Sequence, residues 1–323
     1  MTNDDQKNAI HQGTAERLAR RPWPATPIRP GVKVSFEFFP PATDAGRDIL
    51  DGCADQLAPL APTFASVTYG AGGTTQDRTL ATLRRLADRT ELELGGHLTC
   101  VGATATEVDR VIDNYLDLGV RRIVALRGDA PSGVDGGTVA GGHGSATDLV
   151  RAIRSRPDGH DIDISVAAYP EVHPKAASAK ADLDNLKRKF DAGANRAITQ
   201  YFYDTDAFLR FLDTARKSGI TGEIVPGIMP VTNFERVRAF SERCGAVIPD
   251  WMPELFAGLD DMPEVQHLVA ATVAAEQCRR LAEHGVNAFH FYTMNRPELS
   301  VATCRILGVK PSAEPKNSVA EVS

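Results

Sequence analysis

The chain has 323 residues, 42% hydrophobic and 24% charged, with a formal net charge of −6. That is enough apolar material for a large core without metals or disulfides, and the acidic balance argues against a nucleic-acid surface, which needs a basic patch or stripe. Cys53, Cys100, Cys244, Cys278 and Cys304 are odd in number and show no C-x-x-C spacing, which speaks against a zinc site or disulfide framework and for a reducing, cytoplasmic setting.

Residues 1–31 read as a polar arm. They contain no apolar h-region, and Asp4 and Asp5 argue against a transit peptide. No run of about 18 apolar residues occurs, so no membrane span is expected. The first β-rich run, VKVSFEFF (32–39), sets Glu37 among three phenylalanines. A carboxylate there needs a partner, or its pKa rises until it is neutral. Further β-rich runs follow: FASVTYG (64–70), LGGHLTC (94–100), RIVALRGD (122–129), DISVAAYPE (163–171), RAITQYFY (196–203), EIVPGIMP (223–230) and AFHFYTMN (288–295).

Helical stretches lie between them, among them AGRDILDGCADQLAPL, ATEVDRVIDNYLDLG and ADLDNLKRKFDAG. The last two end in glycine, a common helix stop. Thr232 and Glu235 fit a capping box at a later helix start. GAGG (70–73) is a turn and a weak phosphate-cradle candidate. The glycine-rich segment 131–145 reads as a connector, with a lid as the functional alternative. Residues 310–323 read as a disordered tail.

Eight strands alternating with helices imply a parallel sheet, and the count of eight favours one closed (β/α)8 TIM-type barrel over residues 32–309. The open doubly wound alternative lacks a G-x-G-x-x-G or phosphate-loop string after any strand. Glu37, Thr68, Tyr69, His97, Thr99, Arg127, Asp129, Tyr169, Glu171, Gln200, Asn295 and Arg296 fall late in their strands or just beyond. In a barrel those ends converge on the face where active sites are built. Strand alternation places Ser35, Ala125 and Ile198 on the barrel lining, with Glu37, Asp129 and Gln200 looking into the mouth.

Several of these residues have plainer readings. Glu37 could be half of a structural ion pair, and His97 a satisfied core histidine. His173, in YPEVHP, could be a turn residue. Lys187, Arg188 and Lys189 could be a solvated helix face, and Phe240, three residues after Val237, could be core packing.

The strings SFEFFPP, SVTYGA, HLTC, RIVALRGD, ISVAAYPEVHP, LKRKFDAGANRAITQ, PGIMPV and FHFYTMNR occur in that order. Together they resemble the bacterial methylenetetrahydrofolate reductase family from about Lys33 to Val309. The resemblance implies a (β/α)8 flavoprotein of one-carbon and methionine metabolism, with FAD at the C-terminal mouth. It implies reduction of 5,10-methylenetetrahydrofolate to 5-methyltetrahydrofolate by NADH or NADPH in ping-pong fashion. Glu37 then matches the general acid, and Asp129 the aspartate beside flavin and pterin. Gln200, Phe240 and Arg296 match substrate-binding positions. Flavin contacts map to Thr68, His97, Arg127, Gly128, Asp129, Ala146, Tyr169, His173, Asp182 and Lys189.

Ser145 stands where the family often has a tyrosine, and Arg236 where it often has a glutamine. The resemblance ends with the barrel, so regulation by S-adenosylmethionine is not expected. The partners expected are a folate and further copies of the chain, without nucleic acid or membrane. Competing readings are a flavin-free folate methyltransferase barrel, a flavin barrel of other specificity such as a proline-oxidising enzyme, and a non-enzymatic ligand-binding protein. On the residues, desolvation is expected to raise the Glu37 pKa towards neutrality, while Asp129 beside Arg127 stays ionised.

Overall fold

A computed structural model describes residues 31–69, 76–129 and 138–312. The GAGG turn and most of the arm and tail therefore lie outside the described residues, as does the first half of the glycine-rich segment. All eight expected strands are present: β1 (Lys33–Phe38), β2 (Ala65–Val67), β3 (Leu94–Thr99), β4 (Arg122–Leu126), β5 (Asp163–Ala168), β6 (Arg196–Tyr201), β7 (Glu223–Ile228) and β8 (Ala288–Tyr292). Each pairs in parallel with its neighbour, and β8 pairs with β1, so the barrel closes. Every strand stops earlier than its sequence run. The surplus residues leave the sheet as the loops that form the C-terminal face.

The helices are α1 (Asp44–Leu57), α2 (Gln76–Arg89), α3 (Ala105–Asp117), α4 (Ala146–Ser155), α5 (Ala179–Asp191), α6 (Thr205–Lys217), α7 (Phe234–Cys244), α8 (Trp251–Phe256), α9 (Pro263–Glu283) and α10 (Pro297–Ile306). Their starts are chemically marked. Thr104 and Glu107 form a reciprocal capping box on α3. At α7 the cap is Asn233, whose Oδ1 accepts the Arg236 N–H at 2.9 Å. The expected Thr232–Glu235 box is thus displaced by one residue, because an Asn competes as well as a Thr for the cap. No described helix is long and apolar enough to cross a membrane.

The core lies between sheet and helices. Phe36, Phe38, Leu98, Ile123, Ala125, Ile164, Val166 and Phe291 all belong to it and are buried. Strand alternation sends the residues between them inward. Ser35 and Glu37 of β1 therefore face the interior, as do His97 of β3 and His290 of β8. In β4 the expected parity is wrong by one: Ala125 packs against the helices, and Val124 and Leu126 line the interior. RIVALRG is apolar on both faces at its centre, so its alternation carries no signal for which side is which.

The N-terminal mouth is closed by a charged plug. Asp163 is bonded by Arg122 Nη1 at 3.0 Å and Arg196 Nη2 at 3.0 Å, and Arg196 reaches Glu223 at 3.2 Å. Both guanidinium groups lie over the Phe64 ring, at 5.6 and 5.8 Å, and that ring stacks on His290.

Candidate active site

Closure of β8 onto β1 sets two similar strings side by side. F-E-F in β1 and F-H-F in β8 each hold one polar residue between two phenylalanines that face the helices. The register pairs Ser35 with His290 and Glu37 with Tyr292. Ser35 Oγ lies 2.8 Å from His290 Nδ1. His290 Nε2 is 3.8 Å, and His97 Nε2 3.3 Å, from the same Glu37 oxygen. His97 Nε2 also meets Ser66 Oγ at 3.3 Å. The Glu37 carbonyl accepts the Thr293 hydroxyl at 2.6 Å, which ties β1 to the end of β8.

Two opposed influences set the charge of this cluster. Burial, the largest single influence, pushes the Glu37 pKa up, but the imidazoles of His290 and His97 that face it outweigh burial and bring it down to about 2. For His290 the balance goes the other way: burial lowers its pKa despite Glu37 beside it. The free site therefore holds an ionised carboxylate beside a neutral His290. That overturns the expected protonated Glu37. Its neighbours in sequence are apolar, but its neighbours in space are imidazoles.

Above the cluster lies a cavity of about 320 Å³ at the C-terminal mouth. Glu37, Thr68, His97, Tyr169, Gln200, Tyr201, Phe240 and Tyr292 are among its lining residues. Phe240 is 39% exposed and its ring stacks on Tyr201 at 5.9 Å. The core-packing reading of Phe240 fails, because its side of α7 faces the mouth. Gln200 turns its Oε1 back to the Tyr201 N–H at 3.0 Å.

Leu126, Ala167 and Tyr169 also line a second cavity, of about 700 Å³, outside the barrel rim between the starts of α4 and α5. Its walls include Arg127, Gly128, Asp129, Ser145, Ala146, His173, Asp182 and Lys189. Gly128 has φ +83, and a Cβ there would come within 2.7 Å of Val101, so the turn accepts only glycine. The Asp182 carboxylate accepts the His173 N–H at 2.8 Å, and the His173 ring meets Tyr169 edge-on. Lys189 is buried, its Nζ donates to the Ala167 carbonyl at 2.8 Å, and burial lowers its pKa to about 8. The solvated-face reading of Lys189 therefore fails. Asp129 is exposed and paired with Lys175 at 3.0 Å.

Most sequence-derived candidates thus meet around two joined cavities. Arg296 does not line either one; it is exposed at the start of α10. Asn295 serves structure, exchanging two 2.9 Å bonds with the Phe39 backbone. Sequence reading missed His290, Tyr201, Tyr292 and Lys175. For His290 a signal existed, since F-H-F repeats the pattern that singled out Glu37.

A family model described as methylenetetrahydrofolate reductase matches residues 28–308. The 5,10-methylenetetrahydrofolate reductase of Escherichia coli (strain K12) is 46% identical over 306 residues, covering 95% of this chain and 97% of that one. The Arabidopsis thaliana protein named methylenetetrahydrofolate reductase (NADH) 1 is 37% identical over 285 residues, 85% of this chain and 48% of its own length. Among solved structures, an uncharacterized protein from Clostridium thermocellum that binds two copies of 5-methyl-5,6,7,8-tetrahydrofolic acid superposes with a TM-score of 0.57. It is 16% identical and covers 86% of this chain and 94% of that one, so the likeness extends to the fold alone.

Proposed function

The chain belongs to the methylenetetrahydrofolate reductase family, and from that premise we propose that it reduces 5,10-methylenetetrahydrofolate to 5-methyltetrahydrofolate with NADH or NADPH, through FAD. The observation that carries the reading is the pair of joined cavities: an aromatic-lined mouth over Glu37, continuous past Tyr169 with a rim cavity walled by a buried cation. The donor set fits a flavin dinucleotide. Lys189 lacks a carboxylate partner among the described residues and suits a phosphate. The Gly128 turn in the same wall admits no side chain. His173, Asp182, Arg127 and Lys189 would hold the dinucleotide end, and Thr68, His97 and Tyr169 the ring end. FAD supplies the hydride relay between the two substrates, which would occupy the mouth in turn.

The chain's own residues divide the remaining work. Phe240 and Tyr201 offer an aromatic wall for a flat pterin, and Gln200 an amide for its edge. The five-membered ring of the folate must open before it can accept hydride, and opening needs a proton at N10. Glu37 is the acid we assign. Because it is ionised in the free chain, it must first take up a proton from solvent at the mouth, which it then passes to N10, while His97 and the Ser35–His290 pair behind it hold the carboxyl in place. The same cluster keeps negative charge close to the cation that forms on ring opening. Asp129, on the wall of the rim cavity, adds a second carboxylate, moderated by Lys175.

The test is optical. The purified protein is expected to be yellow, to release FAD rather than FMN on denaturation, and to bleach anaerobically with NADH or NADPH. Methylenetetrahydrofolate should then restore the colour. A colourless protein, active without added flavin, would refute the flavin reading. Bleaching without return of colour on adding the folate would remove the folate assignment.

A further inference from the structure

Loop 170–175 runs from the rim cavity to the C-terminal end of α7. It leaves β5 beside Tyr169 and carries Glu171, Val172, His173, Pro174 and Lys175. Val172 has φ +69, a left-handed conformation that a β-branched residue adopts only when its surroundings impose it. The constraints lie on either side. His173 donates its N–H to Asp182 on α5. The half-buried Glu171 reaches across 76 residues of sequence to accept the Val247 N–H at 3.0 Å. Burial raises the Glu171 pKa and the Asp204 charge adds to this, while the Val247 bond opposes them. Val247 lies just past the end of α7. That end is Gly245, at φ +75, where a Cβ would come within 2.7 Å of Pro174 Cγ. Glu171 and Pro174 therefore grip the C-terminal end of α7 from one side, about one turn beyond Phe240.

We infer that Glu171 is a positioning residue for Phe240: its bond to Val247 sets how α7 sits on the loop, and so where the exposed aromatic wall of the mouth stands. The strained Val172 backbone is the compromise between this hold and the Asp182 hold on the rim cavity. Glu171 touches no substrate in this arrangement. It acts through a backbone amide and a helix end. The inference rests on the proposed function only in taking Phe240 as a substrate contact.

The experiment compares Glu171→Ala, Glu171→Gln, Phe240→Ala and the Glu171→Ala/Phe240→Ala pair. Two readouts are used, amide hydrogen exchange and steady-state kinetics. Glu171→Ala should speed exchange in the peptide spanning 240–250 at least tenfold. It should raise the folate KM about five- to tenfold, with kcat within twofold and flavin content unchanged. Gln keeps an acceptor oxygen, so Glu171→Gln should restore both readouts to within twofold of the parent. The double variant should be no worse than Phe240→Ala, since the two changes disable one contact. Unchanged exchange over 240–250, or KM effects that multiply in the double variant, would overturn the inference. If the parent protein reduced no folate, the proposed function would fail by itself, and the exchange result would still decide whether Glu171 holds α7.

Discussion

At the N-terminal mouth, Asp163 is shared by Arg122 and Arg196, and both guanidinium groups cover Phe64. On the C-terminal side, Lys189 is buried in the rim-cavity wall with a backbone carbonyl as its hydrogen-bond partner among the described residues, and Glu37 faces two imidazoles. The two ends are made of the same strands and comparable residue types. They differ in whether a charge meets its opposite within the chain. Mutually paired charges close one end; at the other, Asp129 pairs with Lys175, but Lys189 has no carboxylate partner among the described residues. Desolvating a cation without a carboxylate destabilises a fold, so a buried Lys189 is more easily understood as a phosphate contact than as a structural one.

The largest expected effect breaks the open end at its proton. Glu37→Gln should slow the folate half-reaction by roughly 10²-fold or more, the usual scale for a lost general acid. It should leave flavin reduction by the nicotinamide within about a few-fold, since that step moves hydride alone. Stopped-flow flavin absorbance separates the halves; equal slowing of both would reduce Glu37 to a structural role.

Next, Lys189→Met should weaken flavin binding by about 30-fold, or about 2 kcal/mol for a lost charged contact, while making the flavin-free barrel more stable. The pH dependence has a definite sign. The folded Lys189 pKa is about 8 against an ordinary 10.5. The unfolded chain therefore holds that proton more tightly. The penalty is complete below pH 8 and disappears as pH rises through 10.5, a gain of order 3 kcal/mol in flavin-free protein. Urea melts of stripped protein at pH 7.5 and 10 measure it, and Lys189→Met should abolish the difference. Glu37 acts in the opposite range: its contribution is present above its ordinary 4.5 and lost as pH falls through about 2.

The closed end should respond in stability without chemistry. Asp163→Asn takes from two guanidinium groups the carboxylate they share, leaving each a more exposed glutamate, and should lower stability by about 2 kcal/mol. The folate KM should stay within about twofold, because the change is at the end remote from the loops. A large KM effect would mean that the two ends are coupled. The smallest effect sharpens the contrast within the open end. Asp129→Asn removes an exposed, Lys175-paired charge, so stability should move by less than about 0.5 kcal/mol. Folate reduction should slow about tenfold, below the full scale of electrostatic stabilisation, because Lys175 already moderates the charge. No change in the folate half-reaction would take Asp129 out of the site.

Eight strands, their order and the polar residues at their ends could be read from the sequence, because strand runs and helix stops are local features of the chain. The strings that resemble the reductase family also lie at strand ends, so most candidate residues gather on one face, the C-terminal one. The failures have a common origin. The parity of β4 was unreadable because IVAL is apolar on both sides. The cap of α7 was misassigned because Thr232 and Asn233 are equivalent candidates one residue apart.

What the sequence by itself determined is the alternation that turns Glu37 away from Phe36 and Phe38 and into a barrel. What only the tertiary structure decided is the company Glu37 keeps there. Closing β8 onto β1 brings His290, 253 residues away, to face the same carboxylate as His97. A pKa depends on the charges and dipoles within a few ångströms, and those neighbours are supplied by strand pairing across the whole chain. Local composition therefore predicted an uncharged acid, and the folded site holds an ionised one.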